Sequence, residues 1–173
     1  SQAVVNLTVQ TIQSSGSYPS TVTLKKGAVA SGGNYVWNVT SDTTAEVNST
    51  TGIAVFSDLV LREGSIVNFQ YVVNTFATQN YKVPSEDADI NTLSVRVKAN
   101  ESSTTSDLYN LVDTITGLSA NSRVYFLAEG EDMRYEVKFG DDSVGRALKD
   151  GEVVLFEYLV TYGEEANDVD RFS

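Results

Sequence analysis

Residues Arg134–Val160 read RYEVKFGDDSVGRALKDGEVVLFEYLV. In the first arm Tyr135, Val137 and Phe139 alternate with Glu136 and Lys138, the period-2 pattern of a half-buried strand. In the second arm Val153, Leu155 and Leu159 fall on one face and Val154, Phe156, Tyr158 and Val160 on the other. A strand apolar on both faces belongs inside a sheet rather than at its edge. Between the arms Gly140, Gly145 and Gly151 permit backbone turns closed to other residues, and Asp141, Asp142 and Asp150 suit tight turns by accepting nearby backbone N–H groups. The segment therefore reads as two strands facing each other as a hairpin across a structured, acidic loop.

Working outward, the same alternation recurs. Val5, Leu7 and Val9 mark a first strand, Val22 and Leu24 a second, and Tyr35, Trp37 and Val39 a third, with Trp37 as a core anchor. Ala45 and Val47 suggest a short strand; Ile53 and Val55 oppose Ala54 and Phe56, and Leu59 and Leu61 follow. Val67, Phe69, Tyr71 and Val73 share one face of a further strand, Leu93, Val95 and Val97 one face of another, and Val124 and Phe126 begin the C-terminal set. Turn clusters lie at Ser14–Pro19, Ser31–Asn34, Arg62–Gly64 and Glu129–Asp132; Thr75–Glu86 reads as a loop and the acidic stretch from Gly163 as a loop or exit. Asp107–Val112 reads as one helical turn. Many short strands between Gly-rich turns predict an all-β protein, a sandwich in two lobes with little helix. The Ser/Thr-rich stretch Ala99–Ser106 sets the expected boundary, giving an N-terminal lobe over 1–100 and a C-terminal lobe over 101–173.

Composition narrows function. The 173 residues carry 23 acidic and 12 basic side chains, a formal net charge of -11. That balance opposes binding to nucleic acid phosphates or anionic membranes, which require a basic footprint. There is no cysteine and no histidine, so disulfides, Cys/His zinc sites and histidine-based triads are excluded. No apolar run is long enough to span a membrane, and no signal peptide is evident. The chain begins at Ser1 and its single methionine is Met133, which reads as a segment of a longer protein. Sequons at Asn6, Asn38, Asn48 and Asn100 follow from a composition rich in Asn, Ser and Thr.

Three acidic groupings invite a hard-cation reading: Glu86–Asn91, Asp141 and Asp142 with Asp150, and Glu129 with Glu131 and Asp132. They lack the glycine and distal bidentate glutamate of a calcium loop and read as turn chemistry, so no metal and no cofactor is expected. Paired carboxylates for glycoside hydrolysis need a cleft, whereas these lie in turns; the protein is not expected to be an enzyme. Arg146 and Lys149 share the loop with Asp141 and Asp142, either as local ion pairs or as a contact with a partner subunit. Those four are the candidate interface residues. Tyr35, Phe69, Tyr71, Tyr81 and Tyr125 are either core packing or a sugar-stacking platform, which keeps a carbohydrate-binding or adhesin module as the alternative.

Phe139-Gly140-Asp141-Asp142, Gly145-Arg146 and Gly151 resemble a pattern of the baseplate J-like family of contractile-tail bacteriophages, in particular the wedge proteins of T4-like phages. Similar landmarks precede it in order: Val22–Gly27, Ile53–Phe56 with Leu59–Gly64, Asp87–Val97, and Ser122–Gly140, so the resemblance covers most of residues 20–165. Where many relatives have Phe-Gly-Asp-Gly, Asp142 takes the last place, which puts the turn type of that loop in question. The resemblance implies a structural wedge subunit that forms homodimers and joins wedge and hub proteins in a sixfold ring. It also implies rearrangement on sheath contraction, and location in the virion tail baseplate after assembly in the host bacterial cytoplasm.

Overall fold

The computed structural model describes residues 1–32, 35–130 and 132–161; it is all-β. The expected turn at Ser31–Asn34, part of that at Glu129–Asp132 and the acidic stretch from Gly163 fall wholly or partly outside the described residues. Two compact units emerge, Ser1–Ser65 and Ile66–Val160.

The first unit contains β1 (Gln2–Gln10), β2 (Thr21–Leu24), β3 (Gly27–Gly32), β4 (Tyr35–Val39), β5 (Thr43–Glu46) and β6 (Ile53–Glu63). A four-stranded sheet of order β1-β6-β4-β3 and a ribbon of β2 with β5 enclose a core of Trp37, Val39, Phe56, Leu59 and Leu61. The longest strand of this unit, β6, changes parity in mid-course: Ala54 and Phe56 are buried on one side of a bulge, Leu59 and Leu61 on the other. Between the pairs Leu7↔Phe56 and Val5↔Leu59 it carries one extra residue, with Asp58 at φ 53. The bulge returns the apolar side chains to the core face, where an uninterrupted strand would turn Leu59 and Leu61 to solvent. The Asn6 Oδ1 accepts the Asp58 N–H at 3.0 Å, supplying the backbone partner that the bulge removes.

The second unit contains β7 (Ser65–Val72), β8 (Tyr81–Lys82), β9 (Ala88–Lys98), β10 (Asp107–Leu111), β11 (Val124–Glu129), β12 (Tyr135–Phe139) and β13 (Val153–Val160). They form one sheet of order β7-β13-β9-β10-β11-β12-β8, antiparallel where register is defined except for the parallel pair β10–β11. The edge strands β7 and β8 meet, because the Tyr71 hydroxyl donates to the Lys82 carbonyl at 2.8 Å and the Tyr71 and Tyr81 rings pack edge-to-face at 5.4 Å. The unit is thus a nearly closed barrel rather than half of a sandwich, an arrangement that leaves little unpaired edge. An edge-to-face string runs through it, Phe69–Tyr71–Tyr81–Phe139–Tyr109, with centroids 5.0–5.6 Å apart. Each such pair adds about 0.5–1.5 kcal/mol to ring burial.

Three expectations need correction. Tyr135–Phe139 and Val153–Val160 are not hairpin partners: β12 pairs with β11 and β8, β13 lies between β7 and β9, and three strands separate them. The connecting loop is much longer than the two to five residues of a hairpin turn, so it carries the chain across the barrel end to a different wall. The position of β13 inside the sheet does agree with its two apolar faces, since Val153, Val154, Phe156, Tyr158 and Leu159 are all buried. Secondly, residue 100 is no boundary. It lies in the turn between antiparallel neighbours β9 and β10, where Asn100 Oδ1 accepts from the hydroxyls of Ser102 and Ser103 at 2.8 and 3.1 Å. Its Ser/Thr richness serves that turn. Thirdly, Asp107–Leu111 is strand, not a helical turn, because pairing with β9 and β11 overrides weak local preference.

Candidate functional site

The loop joining β12 to β13 is where the sequence places its candidate residues, and it is built around a close crossing of two glycines. A Cβ on Gly140 would sit 2.1 Å from the carbonyl carbon of Gly145, and one on Gly145 would sit 2.9 Å from Val124 Cγ2. Gly145 also adopts φ 79. Its N–H donates to Ser119 O at 3.0 Å and that of Arg146 to Ser122 O at 2.9 Å, pinning the crossing to the segment before β11.

Each aspartate holds part of this shape. Asp141 Oδ1 accepts the N–H groups of Ser143 and Val144, both at 2.9 Å. Those bonds hold its carboxyl below the usual aspartate range, the Val144 bond contributing most. Asp142 takes φ 64, its N–H donates to Gly145 O at 3.0 Å, and its Oδ1 accepts from Ala147 N–H at 2.8 Å. The left-handed turn is therefore present with aspartate in place of glycine, and the side-chain bond to Ala147 offsets the steric penalty. Asp150 turns away from both and accepts from Thr75 N–H at 3.0 Å.

Arg146 points inward. Its guanidinium makes a two-pronged contact with Glu152, Nη1 to Oε2 at 3.1 Å and Nη2 to Oε1, while Nη1 also donates to the Tyr109 hydroxyl at 2.7 Å. Glu152 Oε2 further accepts the Lys149 N–H at 2.8 Å. The side chains of Arg146 and Glu152 are 24% and 9% exposed, so the pair is largely withdrawn from water. Glu152 above all, and Tyr109 less strongly, hold the guanidinium proton more tightly than usual; burial pushes the Tyr109 phenol up, against the lowering effect of Arg146. The Glu152 carbonyl accepts from Val73 N–H at 2.8 Å, and the Gly151 N–H donates to Val73 O at 2.9 Å, extending the bracing to the end of β7.

Of the four candidates, then, Asp141 and Asp142 shape the turn, Arg146 is consumed internally, and Lys149 alone presents an exposed charged side chain without a role in the loop's framework. The partner of Arg146 is not one of the loop aspartates. Glu152 and Tyr109 are the residues that sequence reading misses: Tyr109 because it sat in an expected helical turn, Glu152 because nothing distinguishes it from other turn acids except its place directly before a doubly apolar strand.

The other acidic groupings are also engaged separately. Glu86 lies 3.4 Å from Arg134 and Asp132 lies 2.9 Å from Lys82; Asp89 Oδ1 accepts from Asn91 N–H at 3.2 Å, and Glu129 Oε1 from the Tyr135 hydroxyl at 3.2 Å. Glu131 lies outside the described residues. Among the described residues no three acidic side chains converge as a cation site, and none is in a helix long and apolar enough to cross a membrane. Two sequons are structurally occupied: Asn38 is buried and donates to Gly64 O at 2.6 Å, and Asn6 holds the bulge. No family model matches the chain, and the search of curated proteins gives no match.

Proposed function

We propose that the chain is a structural subunit of a contractile-tail baseplate wedge, acting through protein–protein contacts and not through chemistry. In this reading it forms homodimers, joins neighbouring wedges around the hub, and moves when the sheath contracts. The observation that favours assembly over the alternative of a carbohydrate-binding module is the direction of the aromatic side chains. Tyr125 is buried, Tyr71 and Tyr81 pack against the core of the second unit, and Tyr35 packs against that of the first. Tyr35, Tyr71 and Tyr81 are half-buried and Phe69 is the one exposed member, at 39%, so these five do not make a row of rings open to a sugar. The loop that carries the family resemblance supports the same reading, because its glycines, aspartates and arginine are spent on holding a shape.

The test is reconstitution. The protein, mixed with other wedge proteins, is expected to co-sediment as a wedge and to be present in purified baseplates, while a glycan array stays silent. A monomeric protein absent from baseplates overturns the proposal, and specific glycan binding by the chain favours the alternative.

A further inference from the structure

At the end of the barrel where β7 finishes, the chain makes a short loop whose one exposed large apolar side chain is Phe76, at 89%. Its backbone is closely braced. Phe76 N–H donates to Asn74 Oδ1 at 3.0 Å, Asn74 N–H donates to Gln79 Oε1 at 3.0 Å, and Gln79 Nε2 donates to Val72 O at 2.9 Å. From the neighbouring loop, Asp150 accepts from Thr75 N–H at 3.0 Å. A ring exposed on a floppy loop would call for no explanation; one held out by a hydrogen-bonded frame has already lost the freedom that binding would otherwise remove.

Immediately beside it lies a concavity of 370 Å³ whose walls include Thr75 and Ala77, the two neighbours of Phe76, together with Tyr81, Val137, Phe139 and Leu148. Its lining also carries the polar Asn74 and Gln79, and its volume exceeds the about 150 Å³ that accommodates a benzene ring. A protruding ring and a hole adjacent on one surface are the elements of a self-complementary contact about a two-fold axis, in which each copy gives its ring to the other. Charge permits the same pairing. The chain has a net charge of -11, yet Tyr71–Tyr81 contains no charged residue, the charged residues in the wall of the concavity, Glu136 and Lys138, are one of each sign, and Asp150, which holds Thr75, directly follows the exposed Lys149. Like-charged copies can approach there with little repulsion.

We infer that Phe76 is the anchor of a homotypic interface, inserting into the concavity bounded by Tyr81, Phe139 and Leu148 of a second copy of the chain, and receiving that copy's Phe76 in return. The inference rests on the assembly reading above and assigns it a surface. An aromatic anchor in a pocket is the usual form of an interface hot spot. A contact made of one ring and one concavity on each side falls at the small end of specific interfaces, so the dimer is weak.

Analytical ultracentrifugation of this chain from about 10 µM to about 1 mM tests it, spanning the affinity expected for a small interface. The expected result is a weight-average mass rising toward twice 18.8 kDa, with Phe76→Ala weakening association at least tenfold. Because Phe76 is exposed, that variant should keep the wild-type circular dichroism. Ala147→Trp, which fills the concavity from its wall, should weaken association similarly; a mixture of Phe76→Ala with Ala147→Trp should form a heterodimer, since one ring and one open hole remain. A wild-type chain monomeric throughout the range, or a dimer indifferent to Phe76→Ala, overturns the inference. In either case reconstitution into wedges can still succeed, which separates failure of this surface from failure of the assembly reading.

Discussion

Removing Arg146 from its partners should unfasten the end of the second unit, and the structure sets the scale. Breaking a fully buried ion pair by deleting one member costs about 3–5 kcal/mol, because the remaining charge is stranded. Here about a quarter of the Arg146 side chain reaches water, so solvent relieves part of that penalty. Loss of the Tyr109 bond adds about 1 kcal/mol. Arg146→Met is therefore expected to destabilise the unit by about 2–4 kcal/mol, a fall in Tm of roughly 10–25 °C for a unit of about 100 residues. Glu152→Gln should cost about 2–3 kcal/mol, since it keeps the shape but leaves the cation uncompensated. The double variant strands neither charge, so the two losses should not add: the cycle should return a coupling of about 1–3 kcal/mol. Urea unfolding followed by tyrosine circular dichroism is the assay, with fluorescence of Trp37, the single tryptophan, reporting on the first unit separately. Lys25→Ala is the control, because its ion pair with Asp42 is 76% and 49% exposed and such pairs contribute little. A coupling under about 0.5 kcal/mol, within the error of additivity, would refute the reasoning.

Two further outcomes follow from the same framework. Gly140→Ala should cost about 3 kcal/mol or more, at the upper end for overpacking, because its Cβ meets backbone at 2.1 Å; Gly117→Ala, with open space and φ +81, should cost only the roughly 1–2 kcal/mol of a left-handed residue, and equal losses in denaturant melts would contradict the crossing. Burial raises the phenol pKa of Tyr71, Tyr81, Tyr109, Tyr125 and Tyr158, so the stability they contribute is complete below the unfolded value of about 10 and is lost as pH rises through the folded values. Phenolate absorbance should show a late phase coinciding with loss of near-ultraviolet dichroism; ionisation of all tyrosines before unfolding would count against it.

How much of this was legible in the sequence differs from strand to strand. Alternation marked β1, β4, β6, β7, β9, β12 and β13 because each has one face, or two, that must be dry. It missed β3, β8 and β10: Gly27–Gly32 is built of small residues, Tyr81–Lys82 is only two residues long within a stretch that reads as loop, and Leu108, Tyr109 and Leu111 do not alternate, so all three become strands only through their neighbours. Gly140, Gly145 and the aspartates were readable as turn formers, since backbone geometry restricts those positions to few residue types. Which strand pairs with which was not readable, and hence neither was the partner of Arg146. Pairing depends on where a long connection delivers the chain, and Glu152 is marked by its place in space, not by its neighbours in sequence. The change of parity at Asp58 lies between: Phe56 and Leu59 are an odd number of residues apart, the trace that a bulge leaves in a strand buried on one side.

The placement of β13 between β7 and β9 has a consequence for synthesis. A chain emerging from the ribosome presents its N-terminal elements first. Until Val153–Val160 has been made, β7 and β9 each lack the neighbour that completes their hydrogen bonding, and Val95 and Val97 lack the cover of Val154 and Phe156. The nascent barrel therefore lacks the stave between β7 and β9, exposing two open edges at once until β13 slots in. Such an intermediate is vulnerable to pairing with another unfinished chain. Emergence of Val153–Val160 is therefore the step that commits the unit to its own fold.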